Sequence, residues 1–219
     1  MQHEQSLADN FNSFMERKAV EFGCRFHSFS LDGQDRDAGA DYVLTDVDRF
    51  AIVEFKYSDK NLISEKHKPR RLKLCKGLAK NEKMRNLHDK CHFISWTEGK
   101  ELSVKANIYR KEVCNKMIFG NDCGLIVNSP EFDARIGTGK FANDFFGSES
   151  RASLTRRKFE AYVAWVLKET SGSQRSTLEL IAFNPKSMDL ALVRLESIEA
   201  AQNWVRDHYS PPRQGIGYP

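Results

Sequence analysis

Apolar residues recur at three- and four-residue spacing near the start of the chain. Leu7, Phe11, Phe14, Met15 and Phe22 predict an amphipathic helix over about 6–22, ending at Gly23. The period then shortens to two, and Cys24–Phe29 alternates as a short strand. Asp32–Gly39 is a turn-rich loop. Two more strands are predicted near 41–45 and 50–57, joined by the polar turn Asp46-Val47-Asp48. After a polar connection over 58–69, Pro69 can open a helix running to about Leu87, with Leu74, Cys75 and Leu78 on one side. Gly77 weakens that helix slightly. Cys91–Trp96 reads as a compact strand, so the predicted order to this point is α-β-β-β-α-β.

The second half is patterned less sharply. Leu102, Val104, Ala106 and Ile108 alternate with polar residues as a strand, and Gly124–Asn128 reads as a buried one. Ala134–Lys140 invites comparison with phosphate loops but lacks their Gly-x-x-x-x-Gly-Lys-Ser/Thr spacing, so it reads as a plain loop. A helix follows over about 152–169, then strands near 177–183 and 189–195 around a turn at Asn184–Ser187. Ser197 is placed to cap a last helix ending near His208, and residues 211–219 form a flexible tail. There is no internal repeat or low-complexity linker. The expectation is one α/β domain: a core over about 6–96, extending to 128, and a C-terminal addition over about 129–210.

Charge sharpens this picture. The net charge of the 219-residue chain is only +4, but residues 56–90 hold twelve Lys or Arg against four acids. That segment has an excess of eight positive charges, whereas the rest carries 22 basic and 26 acidic residues. Such a stripe suits an anionic polymer, although most charge runs are simply solvated helix faces. No apolar run approaches the roughly 18 residues of a membrane helix, and the polar start Met1–Gln5 is no signal peptide. Five cysteines without a close pair suit a reducing compartment, so a cytoplasmic location without a membrane partner is expected. His88, Cys91 and His92 cluster ahead of Cys114 and Cys123, but without a Cys-x-x-Cys knuckle burial explains these thiols better than zinc.

The chemistry concentrates in the hairpin Gly39–Lys56. Asp41 opens its first strand, and Glu54 and Lys56 project together near the end of the second. Phosphodiester cleavage needs charge neutralised on the phosphate, an activated water and a stabilised leaving oxygen. A hard divalent cation held by carboxylates serves all three. Asp41 and Glu54 are the candidate ligands, with the backbone carbonyl of Phe55 as a third oxygen. Lys56 is placed to orient or help deprotonate the attacking water and to offset developing charge. Arg70, Arg71, Lys73, Lys76 and Lys80 on the next helix would hold the phosphate backbone. Glu-x-Lys occurs three times, as Glu16-Arg17-Lys18, Glu54-Phe55-Lys56 and Glu98-Gly99-Lys100. Only the middle one ends an apolar strand preceded by an acid. The bland reading is a salt-bridged strip with Asp41 capping a strand.

Asp41, twelve residues, then Glu54-Phe55-Lys56, within an α-β-β-β-α-β order, resembles the PD-(D/E)xK nuclease superfamily over roughly residues 6–96. Ala40 stands where the proline of that motif is usual. The resemblance implies a restriction-endonuclease-like core with a mixed sheet, and Mg²⁺- or Mn²⁺-dependent hydrolysis of DNA, less often RNA. It implies roles in defence against foreign DNA, mobile-element processing or repair, and work as a homodimer or with a partner subunit. Asp41 and Glu54 become metal ligands and Lys56 the catalytic lysine. Many members add a first-helix glutamate; Glu21 fits by its face and Glu16 by neighbourhood. The glutamine some members place after the lysine is absent. His67, His88 and His92 flank the groove but are left outside the site. The alternative is a nucleic-acid- or protein-binding module that retains the nuclease fold without activity.

Overall fold

The computed structural model describes residues 2–31, 38–171, 178, 180–183 and 192–208. The chain is an α/β protein. Helix α1 (Gln2–Glu21) leads into β1 (His27–Ser30), β2 (Tyr42–Thr45) and β3 (Arg49–Ser58). A 3-10 segment (Asp59–His67) then precedes α2 (Pro69–Lys80), α3 (Glu82–Cys91) and β4 (His92–Glu98). Next come β5 (Ser103–Ile108), the short helices α4 (Tyr109–Val113) and α5 (Lys116–Phe119), β6 (Ile136–Gly137) and α6 (Thr138–Phe146). The remainder is β7 (Leu154–Thr155), α7 (Arg156–Ser171), β8 (Leu180–Phe183), β9 (Leu192–Leu195) and α8 (Ile198–His208).

One mixed sheet runs β6-β5-β4-β3-β2-β1-β8-β9, with β7 pairing the start of β3. Strands β2 and β3 are an antiparallel hairpin, and β3 and β4 are parallel, connected by the 3-10 segment, α2 and α3. Strand β3 is therefore central and covered on both faces, which explains its nearly unbroken apolar run. Phe50 and Ile52 pack with Ile94, Trp96, α2, α7 and α8 on one face. Ala51, Val53 and Phe55 pack with α1 and α6 on the other.

Several expectations change. The single helix expected over 69–87 is two helices, because Asn81 adopts extended backbone and its side chain accepts the Met84 amide as the cap of α3. Gly77, a weak helix residue, allows α7 to approach: a Cβ there would lie 2.8 Å from the Glu169 side chain. The strand expected at 124–128 does not form. Val127 and Asn128 carbonyls instead accept the amides of Lys116 and Met117, and Ile126 is 88% exposed. Thr138–Phe146, partly read as loop, is a helix burying Phe141, Ala142, Phe145 and Phe146. Ser197 does cap α8, accepting the Ala200 amide. The loop called at 32–39 (apart from Ala38 and Gly39), the turn at 184–187 and the tail at 211–219 lie outside the described residues. Among the described residues no helix is long and apolar enough to cross a membrane.

The cysteine expectation is corrected outright. Cys75 on α2 and Cys114 after α4, 39 residues apart, form a disulfide. Distance in sequence hid a pair that the packing of α2 brings together with Cys123 and Leu125. Unfolded, unreduced protein should therefore titrate three thiols and reduced protein five. Reduction, or the Cys75→Ser/Cys114→Ser variant, should lower unfolding free energy by about 3–4 kcal/mol in urea melts, as for a closed loop of this size. Five thiols before reduction would contradict the pairing.

Candidate functional site

The hairpin places Asp41 and Glu54 on the same face of the sheet. Asp41 precedes β2, its amide donates to the Val53 carbonyl, and its Oδ2 accepts the Phe55 amide at 2.6 Å. Glu54 is fully buried beneath the helices on that face. Lys56, two residues on, donates to Glu54 Oε1 at 2.5 Å and to the Phe55 carbonyl at 2.9 Å. The strand's alternation thus gathers the residues that sequence spacing singled out.

The 3-10 segment completes the cluster with residues sequence reasoning missed. At three residues per turn, positions three apart stack, so Leu62, Glu65 and Lys68 line up on one side. Glu65 is fully buried. It lies 3.4 Å from Lys56 Nζ and 2.8 Å from Lys68 Nζ, and accepts from Tyr109 Oη at 2.5 Å and Arg71 Nε at 3.3 Å. Lys68 also donates to Glu54 Oε1 at 2.6 Å, and an Arg71 Nη lies 3.7 Å from Glu54 Oε2. Three carboxylates therefore face Lys56, Lys68 and Arg71. The signal available in the sequence was the three-residue ladder Leu62, Glu65, Lys68, Arg71 after the strand.

These charges set one another's protonation. Burial alone would raise the Glu54 carboxyl, but Lys56, Arg71 and Lys68 outweigh it and hold it well below the usual carboxylate range. Burial would lower Lys56, but Glu54, Glu65 and Asp41 hold its ammonium above its ordinary value. Lys56 is thus held in its charged, hydrogen-bond-donating form in this arrangement. Asp41 is pushed up to about 7, by burial first and then by the Glu54 charge.

Other expected residues stand elsewhere. Helix α1 packs on the opposite, Phe55 face of the sheet, and its N-terminal end lies near β3's end, where His3 meets Tyr57. Glu16 is exposed, and Glu21, at the far end of the helix, pairs with Lys18. Neither glutamate joins the carboxylates: the helix's apolar face was legible, but which side of the sheet it covers was not. Arg71, expected to meet nucleic acid, turns inward onto Glu65. Lys73, Lys76 and Lys80 stay exposed on α2, with Arg70 partly so. Among the described residues, no three His, Cys, Asp or Glu side chains gather as a metal site.

Behind Asp41 runs a buried relay. The Arg110 amide donates to His88 Nε2, which leaves Nδ1 of a neutral ring as donor to Tyr162 Oη. Tyr162 donates to His92 Nδ1, and His92 Nε2 donates to the Gly39 carbonyl. Gly39 has φ +83°, and a Cβ there would crowd Arg71 and His92 at 3.0 and 3.2 Å. Two of the three histidines left outside the site, His88 and His92, thus hold the turn that presents Asp41. No protein-family model, curated protein or solved structure matches the chain.

Two outcomes are expected. Lys56→Met should cost about 1.5–3 kcal/mol by taking one of three cations from buried Glu54, which Lys68 and Arg71 still face, and Glu54→Gln/Lys56→Met should cost less than the two single changes together. Additive costs in urea melts would contradict the pairing. Burial lowers His92 to about 3 and, with the His92 and Arg110 charges, places His88 well below its ordinary value. Below about pH 6.5 the unfolded histidines take up protons that the folded ones refuse, so their contribution to stability erodes as pH falls toward 3. Imidazole ¹⁵N NMR should show both rings neutral at pH 5, protonated on Nδ1 in His88 and Nε2 in His92. An imidazolium at either position at pH 6 would contradict the relay.

Proposed function

We propose that this chain is a metal-dependent nuclease of the PD-(D/E)xK kind, with a restriction-endonuclease-like core, that hydrolyses phosphodiester bonds of DNA in defence, mobile-element processing or repair. One observation carries the reading: Asp41, just before β2, and Glu54, in the middle of the neighbouring β3, share a face, with Lys56 bonded to Glu54 and to the Phe55 carbonyl. The donor chemistry fits Mg²⁺ or Mn²⁺. Two carboxylates and a backbone carbonyl are hard oxygens, and Glu54 Oε2 is buried without a hydrogen-bond partner. Asp41, Glu54 and the Phe55 carbonyl would hold the ion, leaving its other positions to water and substrate. When bound, such an ion withdraws charge from a phosphate oxygen and acidifies water.

The chain's own groups do the rest. Lys56 donates to the attacking water or to a phosphate oxygen and offsets charge that develops there. Glu65 and Tyr109 fix the lysine's surroundings, and the Gly39 turn fixes Asp41. Lys73, Lys76 and Lys80 offer a positive face for the phosphate backbone. A second reading, a nucleic-acid- or protein-binding module without activity, is favoured by the charge balance itself, since Lys56 and Lys68 already neutralise Glu54.

Incubation with linear, circular and single-stranded DNA and with RNA, in Mg²⁺, Mn²⁺ or EDTA, separates the two. The nuclease should cut DNA only with the divalent ion, and Asp41→Asn or Lys56→Met should slow cutting by about 100-fold or more. Glu substitutions at Lys73, Lys76 and Lys80 should raise KM and weaken its salt dependence. Cleavage that survives Asp41→Asn sinks the catalytic reading. Salt-sensitive DNA binding without turnover would establish the second.

A further inference from the structure

We propose that Lys68 is a displaceable cation: it occupies Glu54 until a divalent ion takes its place, and then moves onto the phosphodiester. The inference rests on the nuclease reading. Lys68 is the one member of the cation set with a way out. Lys56 and Arg71 are enclosed, with side chains 6% and 2% exposed, whereas that of Lys68 is 39% exposed while its Nζ still reaches both buried glutamates. Its backbone, by contrast, is pinned. Pro69 disfavours helical backbone in the residue before it, and Lys68 is extended at φ −103° and ψ 96°. The Lys68 amide donates to the Glu65 carbonyl, and its own carbonyl accepts the Arg71 amide at 2.9 Å. A fixed root with a long, half-solvated stem lets the ammonium swing between two positions without moving the fold.

Charge decides what it swings for. Asp41, Glu54 and Glu65 balance Lys56, Lys68 and Arg71 when all are ionised. A dication added to that set leaves two surplus positive charges in a buried place, which is costly. Withdrawal of Lys68 removes one of them. One phosphodiester offsets the single charge remaining, and the freed ammonium, on a side chain 39% exposed, would meet that phosphodiester from the solvent side. Lys68 therefore opposes the metal in the resting protein and assists the substrate in the loaded one.

The test is a Mn²⁺ titration of the whole chain, followed by the electron-spin resonance of unbound Mn²⁺, at pH 7.5 and low salt. Lys68→Met and Lys68→Gln should bind Mn²⁺ about tenfold or more tightly than wild type, because a competing charge has gone. Lys100→Met, at the exposed β4–β5 turn, should leave the affinity unchanged. At saturating Mn²⁺ both Lys68 variants should cut DNA about 10- to 100-fold more slowly in single turnover. Unchanged or weaker Mn²⁺ binding by both variants, with a wild type that cuts, overturns displacement and leaves the nuclease reading standing. Tighter binding with undiminished cutting supports displacement and removes the substrate contact. A wild type that neither binds Mn²⁺ nor cuts overturns both.

Discussion

The buried charge of Glu54 is the constraint around which this structure is arranged. A carboxylate on a strand covered on both faces is costly to desolvate, and it persists only because Lys56, Lys68 and Arg71 surround it. Those partners come from the strand itself, from the residue before α2 and from the first turn of α2. To satisfy one carboxylate the chain must fix the 3-10 segment, the start of the basic helix and, through Glu65, the Tyr109 hydroxyl on α4. Stability and the proposed chemistry meet in the same few side chains, and so does their conflict. Ion pairs that hold the fold also occupy oxygens that a metal would use.

That conflict is the physical basis of the proposed reading. A hydrophobic replacement of such a cluster is often as stable as the charged original, so stability alone is a weak reason for it. Asp41 sits at its edge, raised to about 7 by burial and by Glu54, and gains most from an added cation. The relay from Arg110 through His88, Tyr162 and His92 to Gly39 spends a fully buried set of polar groups on fixing the turn before Asp41. Positional precision in that turn, more than core volume, is what this arrangement secures.

Much of this was legible in the sequence, for identifiable reasons. Period-two alternation around an apolar run set Glu54 beside Lys56, and the hairpin's spacing brought Asp41 alongside. The first helix's apolar face was equally clear, but nothing local says which side of a sheet a helix covers, so Glu16 and Glu21 were misplaced. Glu65 and Lys68 escaped notice because polar residues in a connection look solvated unless the 3-10 period is recognised. Arg71 was counted with its exposed neighbours, although its register, three residues before Leu74, places it on the inward face. Cys75 and Cys114 paired through tertiary packing that no spacing rule encodes. Asn81, a helix-capping residue within a helical pattern, was the visible sign that the long helix is two.

Anomalous diffraction from crystals soaked in Mn²⁺ tests the central claim most directly. The account predicts a peak bounded by the carboxylates of Asp41 and Glu54, with Lys68 withdrawn from Glu54 and Lys56 still beside it. Glu54 found at saturating Mn²⁺ with both lysines in place, and no peak against Asp41, would contradict it.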